Sequence, residues 1–340
     1  MKTRASFSPA VKLSALAVLS AAMWTARPAL AGNGGGEPFD FLFLDGNARS
    51  VGMGGAYGAL ADDSNALLYN PGGLGMIKRY EATFMHNRHV EGVSHEYIAL
   101  AGPLMEHGLG VMFDYVKFGD LRRTTYAQPD GKAGNVGVND LAISAGYGHT
   151  FPGMDNLSLG GALKYLREGI DDTSMSGMAF DVGGMWSDEV GPGRLNLGLS
   201  VQNVGPDVKF QKQTGSGPRE KLPANVRGAG AFSFNLFDMK HTVAVDISKE
   251  RSQDTVGGVG FETVVAKVLG LRFGFNSRNS SGVGLSGGVG WINPDFGIDY
   301  AVVPYGDLGV SHRFSVTARW GGEPQKTASK NLKPASQAGK

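Results

Sequence analysis

The sequence predicts an all-β fold: a transmembrane, antiparallel up-and-down β-barrel of about 14 strands with an N-terminal hatch segment in its lumen. Between residues 80 and 320, apolar side chains recur at every second position, as they do in strands with one apolar face. Most of the predicted strands contain about 9 to 12 residues, the length that a tilted strand needs to cross a bilayer. Long loops and short turns also alternate along the chain, a pattern typical of outer-membrane barrels.

Residues 1–31 have the features of a secretory signal peptide. An apolar run at 13–24 follows a basic start, and Ala29-Leu30-Ala31 matches a small-x-small cleavage site. The run is shorter than the ~20 residues that a spanning helix needs, which disfavours the alternative of an uncleaved membrane anchor. The chain has no cysteine, so an exported form uses neither disulfide bonds nor thiolate metal sites.

Residues 32–79 are expected to form the hatch, and their glycine-rich centre raises the question of a phosphate-binding loop. The stretch NARSVGMGGAYGALADDSNALLYNPGGLG, residues 47–75, contains no Gly-Lys-Ser/Thr sequence. Tyr57 stands where a dinucleotide-binding loop needs its third glycine. The stretch therefore fails as a phosphate-binding loop of either kind.

The same stretch suits a segment that packs against a barrel wall. Glycine lets two backbones approach closely because it carries no side chain. Ser64 or Asn65 can cap a short helical turn at 66–69, and Pro71 would end that turn. We therefore expect a compact plug rather than a ligand loop, and the residues leave open whether it seals the barrel or gates it.

Residues 80–320 are expected to form the barrel. Its strands are predicted near 80–88, 92–101, 107–118, 138–149, 156–168, 175–186, 194–204, 222–235, 240–249, 255–263, 268–277, 282–291, 295–303 and 311–320. The two longest connections, 119–137 and 205–221, follow odd-numbered strands, whereas short turns follow even-numbered ones. An even number of strands places both ends of the barrel on the short-turn, periplasmic side. The polar residues 321–340 are predicted to be a disordered tail.

The two faces of the predicted strands differ in chemistry. In LNLGLSVQN, residues 195–203, leucine and valine alternate with asparagine, glycine, serine and glutamine. The polar faces also carry a few charges, which are expected to line a wet lumen: Lys164, Asp181, Asp246 and Arg272. A soluble β-sandwich, the alternative fold, would turn these faces to water, but the apolar face on nearly every strand favours a neighbouring lipid.

Charge and motif content argue against several classes of function. The chain carries 32 basic and 31 acidic residues, and basic residues are in excess only at its two ends, so no concentrated basic surface for nucleic acid is expected. The seven histidines show no metal-ligand spacing, and His86 and His89 are interpreted as solvated residues beside the first hairpin tip. The pairs Asp62-Asp63 and Asp171-Asp172 are interpreted as solvated turns rather than calcium ligands.

The only motifs that match catalytic or cofactor-binding patterns overlap within residues 282–288. They resemble a dinucleotide loop and a nucleophile elbow, but both patterns need a turn from a strand into a helix, and here they lie inside a predicted strand. We therefore predict that the chain is not an enzyme and that it has no catalytic residues, no metal and no cofactor.

Residues 46–75 resemble the N-terminal block of the PorV/PorQ (UPF0164-like) family of outer-membrane proteins, which are relatives of the FadL-like barrels. The matching segments are Asn47-Ala48-Arg49, Gly52-Met53-Gly54-Gly55-Ala56, Ala61-Asp62-Asp63 and Asn70-Pro71-Gly72-Gly73-Leu74. Gly72 departs from the alanine that is usual in the family. Further likeness lies at 197–205 and 299–309 and at His312-Arg313. The resemblance implies a fourteen-stranded barrel with a lumenal hatch, which agrees with the strand count.

The resemblance implies that the protein transports or binds hydrophobic small molecules at the outer membrane of a Gram-negative (diderm) bacterium. The candidate ligand and hatch residues are Leu67, Leu68, Tyr69, Asn70, Pro71, Gly72, Asp62 and Asp63. The alternatives are a type IX secretion component that binds and shuttles exported proteins at the cell surface, and a purely structural barrel. The expected partners are outer-membrane lipid, the barrel-insertion machinery, and either small molecules or secretion-system proteins, with no nucleic acid.

Overall fold

The computed structural model describes residues 37–105, 107–119, 121–151, 153–212 and 215–322. The predicted signal peptide and nearly all of the predicted C-terminal tail lie outside these residues. Among the residues that the structure describes, no helix combines the length and the hydropathy that a membrane-spanning helix needs.

Fourteen long strands, β1 to β14, form one closed antiparallel sheet. Their bounds are Tyr80–Arg88, Ser94–Leu104, His107–Lys117, Val138–Thr150, Leu157–Ile170, Thr173–Val190, Gly193–Val204, Asn225–Leu236, Met239–Glu250, Thr255–Val265, Leu269–Asn276, Leu285–Ile292, Phe296–Pro304 and Val310–Trp320. Each strand pairs with the next along the chain, and β1 pairs with β14 from Tyr80 opposite Trp320 to Arg88 opposite His312. The sheet therefore has no free edge along the barrel, and the predicted fold class is confirmed.

The two ends of the barrel carry different connections. The two long loops, 118–137 and 205–224, follow β3 and β7, and each contains a short two-residue ladder. The turns after even-numbered strands are short, as predicted. One odd-numbered connection departs from the pattern, because Asp171 and Asp172 form a tight, exposed turn between β5 and β6. The long loop after β7 extends over this tight turn, and its Gln211 pairs with Ser174 at the start of β6.

Large apolar side chains form a belt around the outside of the barrel. Directly paired outward positions on six neighbouring strands carry Val316, Phe84, Ile98, Phe113, Ile143 and Tyr165. Phe84, Ile98 and Ile143 are each more than 40% exposed. At the short-turn end, the rings of Tyr80 and Trp320 stack with centroids 6.1 Å apart, as expected of aromatic residues at a membrane interface. An exposed apolar belt of this extent fits lipid as the surrounding medium.

The N-terminal segment folds inside the barrel. It contains α1 (Ala48–Gly52), α2 (Ala66–Tyr69) and two 3-10 helices, Asp40–Phe43 and Pro71–Met76. The Pro71–Met76 helix packs against β2 to β7, and α1 packs against β11 to β14 on the other side of the lumen. We refer to the described part of this segment, residues 37–79, as the hatch.

Glycines on both surfaces let the hatch backbone touch the wall. Gly54 of the hatch has φ +64°, and a Cβ atom on it would lie 2.4 Å from the carbonyl oxygen of Phe275 in β11. Gly108 of β3 faces Leu74, whose carbonyl oxygen would be 1.8 Å from an added Cβ. Any side chain at these positions would push the hatch and the wall apart, which explains much of the high glycine content.

Three of the four lumenal charges do not face a wet lumen, contrary to the sequence-based expectation, and only Asp246 lies beside a cavity, which is described below. Lys164, Asp181, Asp246 and Arg272 are all buried, and each of them pairs with an opposite charge. The Lys164 Nζ atom lies 2.7 Å from a carboxylate oxygen of Asp181. The hatch fills this part of the lumen, and a buried charge is tolerated only when a partner compensates it.

Candidate functional site

The residues predicted as a candidate site form the structural centre of the hatch. The Asn70 Oδ1 atom accepts a hydrogen bond from the Gly72 amide at 3.1 Å and so caps the helix Pro71–Met76. Its Nδ2 atom donates to the carbonyl oxygens of Gly58 in the hatch and Gly184 in β6. Gly72 lies directly against Gly184, where a Cβ atom would approach the opposite Cα to 2.7 Å. Asn70 therefore joins two parts of the hatch to the wall.

Leu67, Leu68 and Tyr69 make up most of α2 and are buried in the core. The Tyr69 hydroxyl donates to Asp45 Oδ1 at 2.9 Å and shares a second hydrogen bond with Ser50. The predicted cap of α2 is only partly correct, because Asn65 occupies the cap position without making a capping hydrogen bond. These residues hold the hatch together.

The adjacent carboxylates Asp62 and Asp63 have different surroundings. Asp62 is exposed, as a solvated turn should be. Asp63 is half-buried and accepts a hydrogen bond from the Tyr57 hydroxyl, while its other oxygen accepts from the Asn65 amide at 2.9 Å. Burial, together with the nearby Glu81 carboxylate, raises the pKa of Asp63 to about 7. Within the described residues, no three His, Asp or Glu side chains converge as metal ligands.

A chain of ion pairs ties the hatch to the wall. Arg49 of α1 binds both carboxylate oxygens of Glu262 in β10, at 2.9 and 2.8 Å. Glu262 also accepts from Arg272 of β11 at 2.7 Å, and Arg272 continues to Asp299 of β13 at 2.6 Å. Bidentate arginine–carboxylate pairs fix orientation as well as distance. Arg49 of the hatch is therefore joined to a network of ion pairs that links three strands of the wall.

A cavity of about 250 Å³ lies between the hatch and the wall at the long-loop end of the barrel. Its wall comes from β8 to β14, and its hatch side includes Phe43, Leu44 and Val51. The residues at its rim are half-buried: His89, Arg278, Asn279 and Tyr305. The residues at its floor are buried: Val51, Asp246, Ser286 and Arg313. The cavity therefore opens at the long-loop end and is closed below by the hatch.

The floor of this cavity is polar. The Arg227 Nη1 atom lies 3.2 Å from Asp246, whereas the Arg313 Nη1 atom lies 3.8 Å from the nearest carboxylate oxygen of Asp45. Five buried polar atoms of the lining have no hydrogen-bond partner among the described residues: His89 Nδ1, Arg227 Nε, Asp246 Oδ1, Ser286 Oγ and Arg313 Nε. Burial and the neighbouring Arg313 lower the pKa of His89 to about 4, so its imidazole is neutral at pH 7.

A family model matches residues 15–299 of the chain and describes an uncharacterised protein family, UPF0164. The chain belongs to the UPF0164 family. A search of curated proteins found no match.

The fold of this UPF0164 member is similar to the folds of two solved transporters. The toluene transporter TbuX of Ralstonia pickettii aligns with a TM-score of 0.51 and 14% identity over 84% of this chain and 100% of its own. The toluene transporter TodX of Pseudomonas putida aligns with a TM-score of 0.50 and 13% identity over 81% of this chain and 97% of its own. At this identity the likeness shows the fold, which is that of Gram-negative outer-membrane proteins.

Sequence reasoning did not find the cavity of this UPF0164 member. His89 was expected to be solvated, yet its ring meets the Tyr305 ring edge to face at 4.9 Å on the cavity rim. None of the eight residues predicted as a candidate site lines this cavity. Residues of the hatch and of seven strands line this cavity, so no local sequence motif could predict it. The available signal was Arg313 at an inward position of the last strand.

Proposed function

We propose that this chain is an outer-membrane transport barrel that takes up hydrophobic small molecules and that the hatch is its movable closure. The observation that carries the proposal is the cavity at the long-loop end, which is closed below by a hatch seated in a complete barrel. Concave sites with a few convergent polar groups are the usual form of small-molecule sites. The two similar structures are of toluene transporters, which supports the same class of cargo here.

The direction of entry follows from the connections. Barrels of bacterial outer membranes keep short turns in the periplasm and longer loops outside. In this orientation the cavity faces the exterior, and a cleaved signal peptide at residues 1–31 would deliver the chain to the periplasm. A molecule would enter from the outside and pass inward when the hatch moves away from the wall.

A reversible tether between hatch and wall tests this proposal. Ser64 of the hatch and Thr83 of β1 have side-chain oxygens 2.8 Å apart, and the chain contains no native cysteine. The double variant Ser64→Cys, Thr83→Cys is therefore expected to form a disulfide after oxidation. We expect toluene entry into proteoliposomes to stop in the oxidised protein and to return after reduction.

A matched pair within the wall provides the control. Ser233 of β8 and Thr242 of β9 have side-chain oxygens 2.9 Å apart, but neither belongs to the hatch. The oxidised variant Ser233→Cys, Thr242→Cys should transport toluene at the unmodified rate. Equal transport by the two oxidised variants would exclude hatch movement, and no transport by any form of the protein would favour a structural barrel.

One observation favours a second candidate, the secretion component that binds exported proteins. The long loop 118–137 exposes Leu121 and Tyr126, and the Tyr126 side chain is fully exposed. Exposed apolar residues on a surface loop are typical of protein-binding sites. Replacing residues 121–136 by a short glycine–serine linker should then abolish co-purification of exported proteins with outer-membrane fractions while leaving toluene entry intact. Unchanged co-purification would remove this candidate.

A further inference from the structure

The cavity lining contains several hydrogen-bond donors and acceptors, with which a hydrocarbon cannot form hydrogen bonds. Its buried wall includes Asp246, Ser286 and Arg313, each with a polar atom that has no partner among the described residues. A buried donor or acceptor without a partner destabilises the folded state, and a ligand that supplies the partner regains that energy. Toluene offers no such partner, so the lining points to a ligand with a polar group.

The chemistry at one side of the cavity selects an anion. The Arg313 guanidinium is buried, and its Nε–H has no partner among the described residues. Its Nη1 atom donates a long hydrogen bond to the Asp45 carbonyl oxygen at 3.4 Å and lies 3.8 Å from the Asp45 carboxylate. Both distances exceed the ~2.7–2.9 Å of a charge-assisted hydrogen bond. The Ser286 hydroxyl lies in the same lining and can donate. Of the two carboxylates in the lining, Asp246 is paired with Arg227 at 3.2 Å, whereas Asp45 stands 3.8 Å from Arg313. A carboxylate fits this set, because arginine presents a planar fork of donors.

The cavity is compact, and apolar side chains make up part of its lining. Phe43, Leu44, Val51, Val256 and Val303 contribute to its lining. The Arg278 guanidinium lies 4.8 Å from the centre of the Phe43 ring and is paired with Glu250, so this arginine is already engaged. A cavity of about 150 Å³ can hold benzene. The 250 Å³ here accommodates a single ring with one substituent but not a long acyl chain.

We propose that this cavity binds a small carboxylate with a compact apolar body, of the size of benzoate, with Arg313 and Ser286 holding the carboxylate. This binding site bears on the proposed transport function only if the molecule that binds in the cavity is also the one transported. In that case it narrows the cargo from hydrophobic molecules in general to compact organic acids.

Benzoate and toluene form the decisive pair of probes, because they have nearly the same shape and differ in charge. We expect isothermal titration of the full-length protein in detergent at neutral pH to show benzoate binding, with toluene at least tenfold weaker. Arg313→Gln should weaken benzoate binding by about tenfold to a hundredfold, the range that one charge-assisted hydrogen bond gives, and should leave toluene unchanged. Ser286→Ala should weaken benzoate binding by a smaller factor.

The control variant is Arg88→Gln, which removes the same charge from the exposed outer face of β1 near the same rim. It should bind benzoate as the unmodified protein does. Folding of each variant is checked by the shift in gel mobility between unboiled and boiled samples, and Ser286→Ala remains informative if Arg313→Gln does not fold.

The outcomes separate this proposal from the transport function. If toluene bound as tightly as benzoate, and neither Arg313→Gln nor Ser286→Ala changed the binding, the carboxylate site would be rejected. The proposed transport function would be unaffected by that result. Toluene entry into proteoliposomes without benzoate binding would lead to the same two conclusions. Benzoate binding that depends on Arg313 in a protein that transports neither probe would retain the site and reject the transport function.

Discussion

The two ends of the lumen are built from different residues, and this difference decides where the barrel is closed. At the short-turn end, wall glycines such as Gly108 and Gly148 let the hatch backbone at Leu74 and Gly75 lie directly on the strands. At the long-loop end, a cavity separates part of the hatch from charged wall side chains such as Arg313. The hatch therefore seals the lumen where the wall carries glycines, and a cavity remains where the wall carries large polar side chains.

The largest effect on stability is expected where the hatch is tied to the closed end by charge. Glu262 is almost completely buried between Arg49 and Arg272. Glu262→Gln leaves both guanidinium groups without their shared carboxylate, and breaking a buried pair of this kind costs about 3–5 kcal/mol. We expect a correspondingly lower midpoint in urea unfolding followed by tryptophan fluorescence.

Glu96→Gln is the matched control for that variant. Glu96 pairs with His86 on the outer face of the barrel, where both side chains are partly exposed. Exposed pairs contribute about 0–1 kcal/mol, so its unfolding midpoint should barely move. Equal shifts in the two variants would show that the hatch is not held by the buried network.

An intermediate effect is expected from filling the glycine contact at the closed end. In Gly108→Val the new Cβ would lie 1.8 Å from the Leu74 carbonyl oxygen, so the hatch must move off the wall. Overpacking of this kind typically costs about 1–3 kcal/mol. We also expect faster toluene entry into proteoliposomes, because the seal is broken.

Gly228→Val in β8 is the control for the glycine contact, because nothing lies within 4 Å of an added Cβ at that position. Its stability and its rate of toluene entry should match those of the unmodified protein. If Gly108→Val behaves in the same way as this control, close packing at Leu74 does not close the barrel.

The smallest effect on stability is expected at the long-loop end. The Ser286 hydroxyl has no partner within the described residues, so Ser286→Ala removes a buried polar atom without removing a hydrogen bond. Such a change is nearly neutral for folding. We expect an unchanged urea midpoint, and a loss above about 1 kcal/mol would mean that the cavity wall supports the fold.

The barrel was predictable from the sequence because its signal is local. A strand with one face against lipid must alternate, and Phe84 therefore differs from its neighbours Thr83 and Met85 in exposure as the pattern predicts. The two-residue period also fixes which residues point inward. The fourteen strands and most of their bounds follow from this rule alone.

The chemistry of the lumen was less predictable, because it depends on contacts between distant residues. Arg49 and Glu262 are 213 positions apart and meet only once the barrel has closed around the hatch. The lining residues His89 and Arg313 are further apart still in the sequence. The hatch sequence was recognisable as a plug. The cavity, however, depends on how the hatch packs against the wall, and this packing exists only in the folded chain.

The lumen is open to the outside at the cavity and closed below it by the hatch. Two half-buried positions test it directly: Asn279 on the cavity rim and Thr150, whose hydroxyl donates to Gly75 at the closed end. In intact cells, a membrane-impermeant maleimide should label Asn279→Cys and should label Thr150→Cys only after the outer membrane is permeabilised. Labelling of Thr150→Cys in intact cells would show that the hatch does not close the lumen, and failure to label Asn279→Cys would show that the cavity is not open to the outside.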